Sequence, residues 1–272
     1  MKITVSRYAL TSLLLVFGAA VLSWLLESIA PFPMVFFRFP MNIVLMALWL
    51  CGVVELYRRR DKSVVARYLL SVSATVTSIA VLAVGCIVMG LQRRPATESY
   101  LFLAMILFAL TQLMMVTLRG WRNSGGVRWL FLLCHTGLLL VLAAGFWGAP
   151  DKDVMRMKVA AEPSREMFYE DGSRGAVDYT LALKDLRVEY YSNGTPSLYE
   201  ADVEVADRVV TLSVNHPYRV SMGEHIYLTS VDEKGSTCIV QLVRQPWQKI
   251  TLAGIVMLIA GAVLMFLRGP RR

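Results

Sequence analysis

Six runs of about twenty apolar residues, at 9–29, 34–57, 68–91, 100–118, 129–149 and 250–267, constrain this chain more than any other feature. A helix rises about 1.5 Å per residue, so a run of that length crosses a hydrocarbon layer about 30 Å thick. Composition agrees. The chain has 272 residues, 56% of them hydrophobic and 18% charged, with a mean hydropathy of +0.52. Soluble domains hold roughly 45–50% apolar and about 25% charged residues. The sequence therefore predicts an integral membrane protein with six transmembrane helices. Disordered, collagenous and coiled-coil chains are excluded, and the composition argues against an ordinary soluble enzyme.

The first run follows Lys2 and Arg7, as a signal peptide would, but it is too long and leads through Ala30-Pro31 straight into another apolar run. It reads as a retained helix. Arg38 and Pro40 interrupt the start of the second run, so its span is expected to begin near Met41.

Net charge is +8, yet residues 150–247 hold 16 acidic and 11 basic residues, so the excess lies elsewhere. It collects at helix ends: Lys2 and Arg7; Arg58, Arg59, Arg60, Lys62 and Arg67; Arg119, Arg122 and Arg128; Arg268, Arg271 and Arg272. The opposite short loops carry only Arg38, Arg93 and Arg94. Basic residues mark the cytoplasmic side. The expectation is a multi-pass protein of a bacterial inner membrane, both termini cytoplasmic and residues 150–248 periplasmic. Charge distributed in this way answers to the lipid bilayer and gives no nucleic-acid signal.

The outer segment reads as β. Residues 178–191 alternate apolar and polar, 192–196 (SNGTP) supply turn chemistry, 198–205 alternate again, and 209–214 are β-branched. Residues 226–230 and 237–243 form a further hairpin around Glu233-Lys234-Gly235. A small antiparallel sheet or sandwich follows, between the fifth and sixth helices. Asn193-Gly194-Thr195 fits a glycosylation sequon, but the hairpin turn explains it. Cys51, Cys86, Cys134 and Cys238 stand far apart, and no disulfide, zinc or thiol-redox spacing appears.

Polar groups inside apolar spans are costly and point to a partner or a cavity. Glu27 and Glu55 sit at span ends, and Gln112 reads as a helix–helix hydrogen bond. His135 is different: it lies seven residues past Arg128, about 10 Å along the fifth helix. An imidazole at that depth needs a neighbouring-helix hydrogen bond, a proton path or a metal such as haem iron. Cys134 beside it reads as a small apolar packing group. His216 and His225 read as surface or turn residues. Tyr8, Trp24, Trp129, Trp147 and Trp247 lie at block ends, as an interfacial aromatic belt would.

Several segments carry a resemblance. Residues 186–199 (LRVEYYSNGTPSLY), 214–223 (VNHPYRVSMG) with Ile226-Tyr227, Arg244-Gln-Pro-Trp247 leading to Gly254, and His135-Thr-Gly137 with Gly145 and Gly148 resemble, in order, motifs of the ResB/CcsB family. The resemblance covers roughly residue 67 to the C-terminus. It implies residues 67–149 as ResB-like helices, 150–248 as an extracytoplasmic β domain, and 249–272 as a last helix with a basic tail. Residues 1–66 become an extra two-helix segment without a family counterpart.

The resemblance further implies a subunit of System II cytochrome c biogenesis that handles haem b in transit with a CcsA/ResC-like partner and delivers it to apocytochrome c. His135 matches the family histidine implicated as a haem-iron ligand. No tryptophan-rich haem loop is present, so thioether formation would belong to the partner, and this chain would be a non-catalytic subunit. Two alternatives stand beside this: a membrane-anchored scaffold whose β domain docks a partner without haem, and a small-solute transporter, for which the spans offer little beyond Gln112.

Overall fold

The structure is a computed structural model that describes residues 2–91, 99–121, 129–193, 196–232 and 236–268. The basic positions Arg93, Arg94, Arg122, Arg128, Arg271 and Arg272 lie outside the described residues, as do Gly194-Thr195 and the turn Glu233-Lys234-Gly235. The chain divides into two compact units, residues 1–150 with 250–272, and residues 151–249.

The first unit is helical: α1 (Lys2–Ile29), α2 (Met41–Arg58), α3 (Val64–Leu69), α4 (Val72–Leu91), α5 (Tyr100–Trp121), α6 (Trp129–Gly148) and α7 (Gln248–Arg268). All but α3 are long and apolar enough to cross a membrane. The chain is therefore a multi-pass membrane protein. As expected, the second span starts at Met41, after a single 3-10 turn at Met34–Phe37. The third differs from expectation. Tyr68 belongs to the separate short helix α3, and α4 starts four residues later, because the Ser71 hydroxyl caps it by accepting the Ala74 N–H at 3.2 Å.

Helix α5 is the hub, packing against α1, α2, α3, α4 and α6. Lipid tails are as apolar as leucine, so helices here associate through close packing and interhelical hydrogen bonds. The bonds are present. Gln112 Nε2 donates to Thr75 Oγ1 at 2.6 Å, linking α5 to α4 as the sequence reading expected. Trp49 Nε1 donates to Thr111 Oγ1 at 3.0 Å, and Asn42 Nδ2 donates to the Trp147 carbonyl at 2.9 Å. Ser12 Oγ and Tyr68 Oη lie 2.7 Å apart, both buried. Each such bond contributes about 0.6 kcal/mol in a bilayer.

The second unit is one eight-stranded antiparallel sheet: β1 (Asp153–Val159), β2 (Ser164–Tyr169), β3 (Arg174–Tyr190), β4 (Pro196–Val205), β5 (Arg208–Ser213), β6 (Tyr218–Ser221), β7 (Glu224–Val231) and β8 (Cys238–Arg244). Its order, β5-β4-β3-β2-β1-β8-β7-β6, is a meander wound into a circle in which β8 pairs with β1. The circle is cut between β5 and β6. These are consecutive in the chain, and a lone bridge between Ser213 and His216 spans the turn that joins them. Period-two burial makes the core. Met155, Met157 and Val159 of β1 face inward opposite Leu242, Val240 and Cys238 of β8. The expected sheet is thus present, with three strands more than the alternation alone marked: β1, β2 and β6.

Cys238 is fully buried in this core, and burial pushes its thiol up to about 11 from 9.0. A raised value means that the folded state holds its proton longer than the unfolded one. Stability from this group is complete below pH 9 and is lost as the pH rises through 11, by about 2 kcal/mol. The β unit of the full chain in micelles should therefore become more protease-sensitive from pH 8.5 to 10.5. Cys238→Ala should flatten that slope, and an unchanged slope would remove the thiol as its cause.

Candidate functional site

His135 lies in the second turn of α6, six residues and about 9 Å beyond Trp129. Its ring is half-buried and stacks on Phe131, one turn earlier, with centroids 3.7 Å apart and planes at 26°. Phe131 is held by a notch: Gly120 of α5 leaves room for the phenyl ring where any Cβ would collide with it. His135 Nδ1 lies 2.9 Å from the Phe131 carbonyl oxygen. A carbonyl only accepts, so Nδ1 carries the proton in this geometry. In the neutral ring the lone pair then sits on Nε2, the arrangement metal-binding histidines use when their other nitrogen donates to a backbone carbonyl.

The neighbouring face of α6 is committed to α7. The Cys134 sulfur packs against Gly261, a small apolar contact of the expected kind. Gly137 and Gly254 bring the two backbones together: a Cβ on Gly254 would lie 2.7 Å from the Gly137 carbonyl oxygen, and one on Gly137 would lie 2.8 Å from the Gly254 carbonyl oxygen. The His-x-Gly spacing therefore sets one helix face against α7 while presenting the imidazole on another. None of the three described cavities is lined by His135.

The remaining polar candidates resolve into structural partners. Glu27 accepts a hydrogen bond from Ser99 Oγ at 2.8 Å, and Glu55 pairs with Arg59 at 2.6 Å. His216 is exposed in the β5–β6 turn, and His225 is half-buried on β7 with its ring 6.4 Å from that of Tyr227. Among the described residues no group of three or more His, Cys, Asp or Glu side chains could hold a metal. Trp24 and Trp129 are exposed, as a belt requires, but Trp147 is only 8% exposed and points into the helical unit. Its place at a block end gave no sign of that, because burial is set by the distant α2.

The β unit has its own polar cluster, which the sequence did not reveal. At the end where the chain enters and leaves the sheet, Glu224 Oε1 of β7 accepts from Tyr179 Oη of β3 and from Arg244 Nε of β8, both at 3.0 Å. Burial, then the Glu224 charge, hold the Tyr179 phenol far above its usual range. Burial pulls the Arg244 guanidinium down, but its bond to Glu224 more than offsets this and leaves it raised. Beside the cluster, Gly223 adopts φ +100° with its Cβ position 2.6 Å from the Gln245 carbonyl oxygen, so only glycine fits there. Next along the chain, Trp247 Nε1 donates to Asp151 Oδ2 at 2.7 Å. The glycine and the Arg-Gln-Pro-Trp run that drew the family resemblance thus tie off the unit's two chain ends.

Six helices long and apolar enough to span a membrane, with an antiparallel β unit inserted before the last of them, define a polytopic membrane protein. Residues 125–242, which take in α6 and the strands through most of β8, match the model of the ResB-like family, and this supports a ResB-like assignment for that stretch. The match is shorter than the resemblance from residue 67 onward. A search of curated proteins returns no match. Among solved structures, "Cytochrome c Heme Lyase CcmF" is similar at 12% identity and a TM-score of 0.38 over 69% of this chain. The chain spans 33% of that one, and a likeness so low carries no structural argument.

Proposed function

We propose that this protein is a ResB-like subunit of a System II cytochrome c biogenesis complex, working with a CcsA/ResC-like membrane partner. It would sit in a bacterial inner membrane with both termini cytoplasmic and residues 150–248 in the periplasm. Haem is the cargo, delivered to apocytochrome c, and thioether formation belongs to the partner. The family match over α6 and the β unit supports the class. The observation that carries the haem reading is the His135 ring. Its Nδ1 is engaged by the Phe131 carbonyl and its plane is fixed by the Phe131 ring, which leaves Nε2 to face a ligand. His135 is the one histidine within the described spans, so a second axial imidazole would come from the partner. The β unit would scaffold the partner or the apocytochrome.

The test is purification of the complex from cells expressing both subunits. His135→Ala should lose most of the co-purified haem and its absorption spectrum. His135→Gly should recover both when imidazole is added to fill the missing ring. Haem content unaffected by His135→Ala would favour the scaffold reading, in which the β unit docks a partner and this chain holds no haem.

A further inference from the structure

Helix α2 and the connection that precedes it, which lie outside the ResB-like match, help to enclose a cavity of about 370 Å³ at the end of the helical unit where α5 begins and α6 ends. That volume is within the range of small-molecule sites. Six of its thirteen lining residues present flat rings: Phe32 and Phe37 of the α1–α2 connection, Trp49 of α2, Tyr100 of α5, and Phe146 and Trp147 of α6. They are already arranged in pairs. Phe32 stacks on Phe37 at 4.8 Å and meets Tyr100 edge-on at 5.2 Å, while Trp147 meets Phe146 edge-on at 4.8 Å.

One of these wall residues carries a polar atom that is unexplained. The Trp147 indole N–H is buried and has no hydrogen-bond partner among the described residues. A buried donor without an acceptor is costly, and buried tryptophans normally find one. Water is a poor candidate, since a buried water needs two to four polar partners. Asn42, the polar neighbour, already donates to the Trp147 carbonyl and accepts the Ile43 N–H. What fits is a molecule that brings one acceptor on a flat apolar body.

We infer that this cavity binds a membrane-dissolved flat-ring lipophile carrying a ring carbonyl, of the quinone type, with the carbonyl oxygen accepting the Trp147 indole N–H. The aromatic walls select the ring, and the single donor orients it. An acyl chain, being flexible and without ring faces, would gain less from such walls. The site uses residues of α2, of the connection before it, of the N-terminal half of α5 and of the C-terminal end of α6, and none near His135, so it stands apart from the haem proposal.

The experiment uses the full chain purified in delipidated micelles and a tritiated short-chain benzoquinone. Saturable binding near one equivalent is expected. Trp147→Phe, which keeps the ring and removes the donor, should weaken it about five-fold. Leu45→Trp, which fills the cavity from α2, should abolish it. His135→Ala should leave it unchanged, which separates this site from the haem reading. Equal, non-saturating uptake by the native chain and Trp147→Phe would overturn the inference, and so would full displacement of the probe by phospholipid. If Leu45→Trp does not fold, the Trp147→Phe comparison decides.

Discussion

Gly254→Leu should cost the helical unit about 3 kcal/mol and force α7 away from α6. At this crossing the obstacle is main chain: a Cβ on Gly254 would stand 2.7 Å from the Gly137 carbonyl oxygen and 3.0 Å from the Val141 nitrogen. A side-chain neighbour could rotate aside, but a helical backbone cannot, so the axes must separate and the contacts on either side go with them. Those contacts are what hold membrane helices together, since no water is released when they meet. The Cys134–Gly261 contact lies on the same interface and would open as well. Thermal unfolding of the full chain in micelles should show a large drop in midpoint for Gly254→Leu and an intermediate one for Gly254→Ala. A Gly254→Leu protein that melts with the native chain would mean that α7 is not held at this crossing.

Glu224→Ala should be the most damaging single change in the polar cluster of the β unit. It leaves both the Tyr179 hydroxyl and the Arg244 guanidinium without the acceptor they share at 3.0 Å. Removing one partner of a largely buried pair costs more than the pair itself contributes, because the remaining charge stays desolvated. An expected loss of about 2 kcal/mol corresponds to a roughly 30-fold drop in hydrogen-exchange protection across β7 and β8 of the full chain. Glu224→Gln keeps an acceptor for Tyr179 but gives up the charge facing Arg244, so its loss should be smaller. Equal protection in native, Gln and Ala forms would show that the cluster is decorative.

How much of this could be read from the residues alone differs by element. The spans were legible because lipid imposes a length, and the start of the second at Met41 was legible because Arg38 and Pro40 cannot continue an apolar helix. Strands β3, β4, β5, β7 and β8 were legible through alternation and β-branched content. Strand β1 alternates as well, but its inward residues Met155 and Met157 are not strand formers and its outward ones are charged. Strand β2 buries a single residue, Met167, and β6 is four residues long. The pairing of β1 with β8 joins residues as distant as Asp153 and Arg244, which no local pattern carries. His135 stood out because a polar ring in an apolar run is expensive, whereas the Phe131 ring beneath it and the Gly120 notch that holds Phe131 became meaningful only in three dimensions. Trp147 is the converse: its position in the run suggested the membrane surface, and only α2, a hundred residues earlier, turns it inward.

The ladder between the first and last strands has one more consequence. Asp153 stands opposite Arg244, so the β unit begins and ends within a single strand spacing of itself, about 5 Å. A folded body whose two loose ends emerge side by side can replace a short loop without pulling its flanking segments apart, as with domains whose termini lie close together. The eight strands form a cassette that one splice into an ancestral helical hairpin could have added whole, and that one deletion could remove with the hairpin left intact.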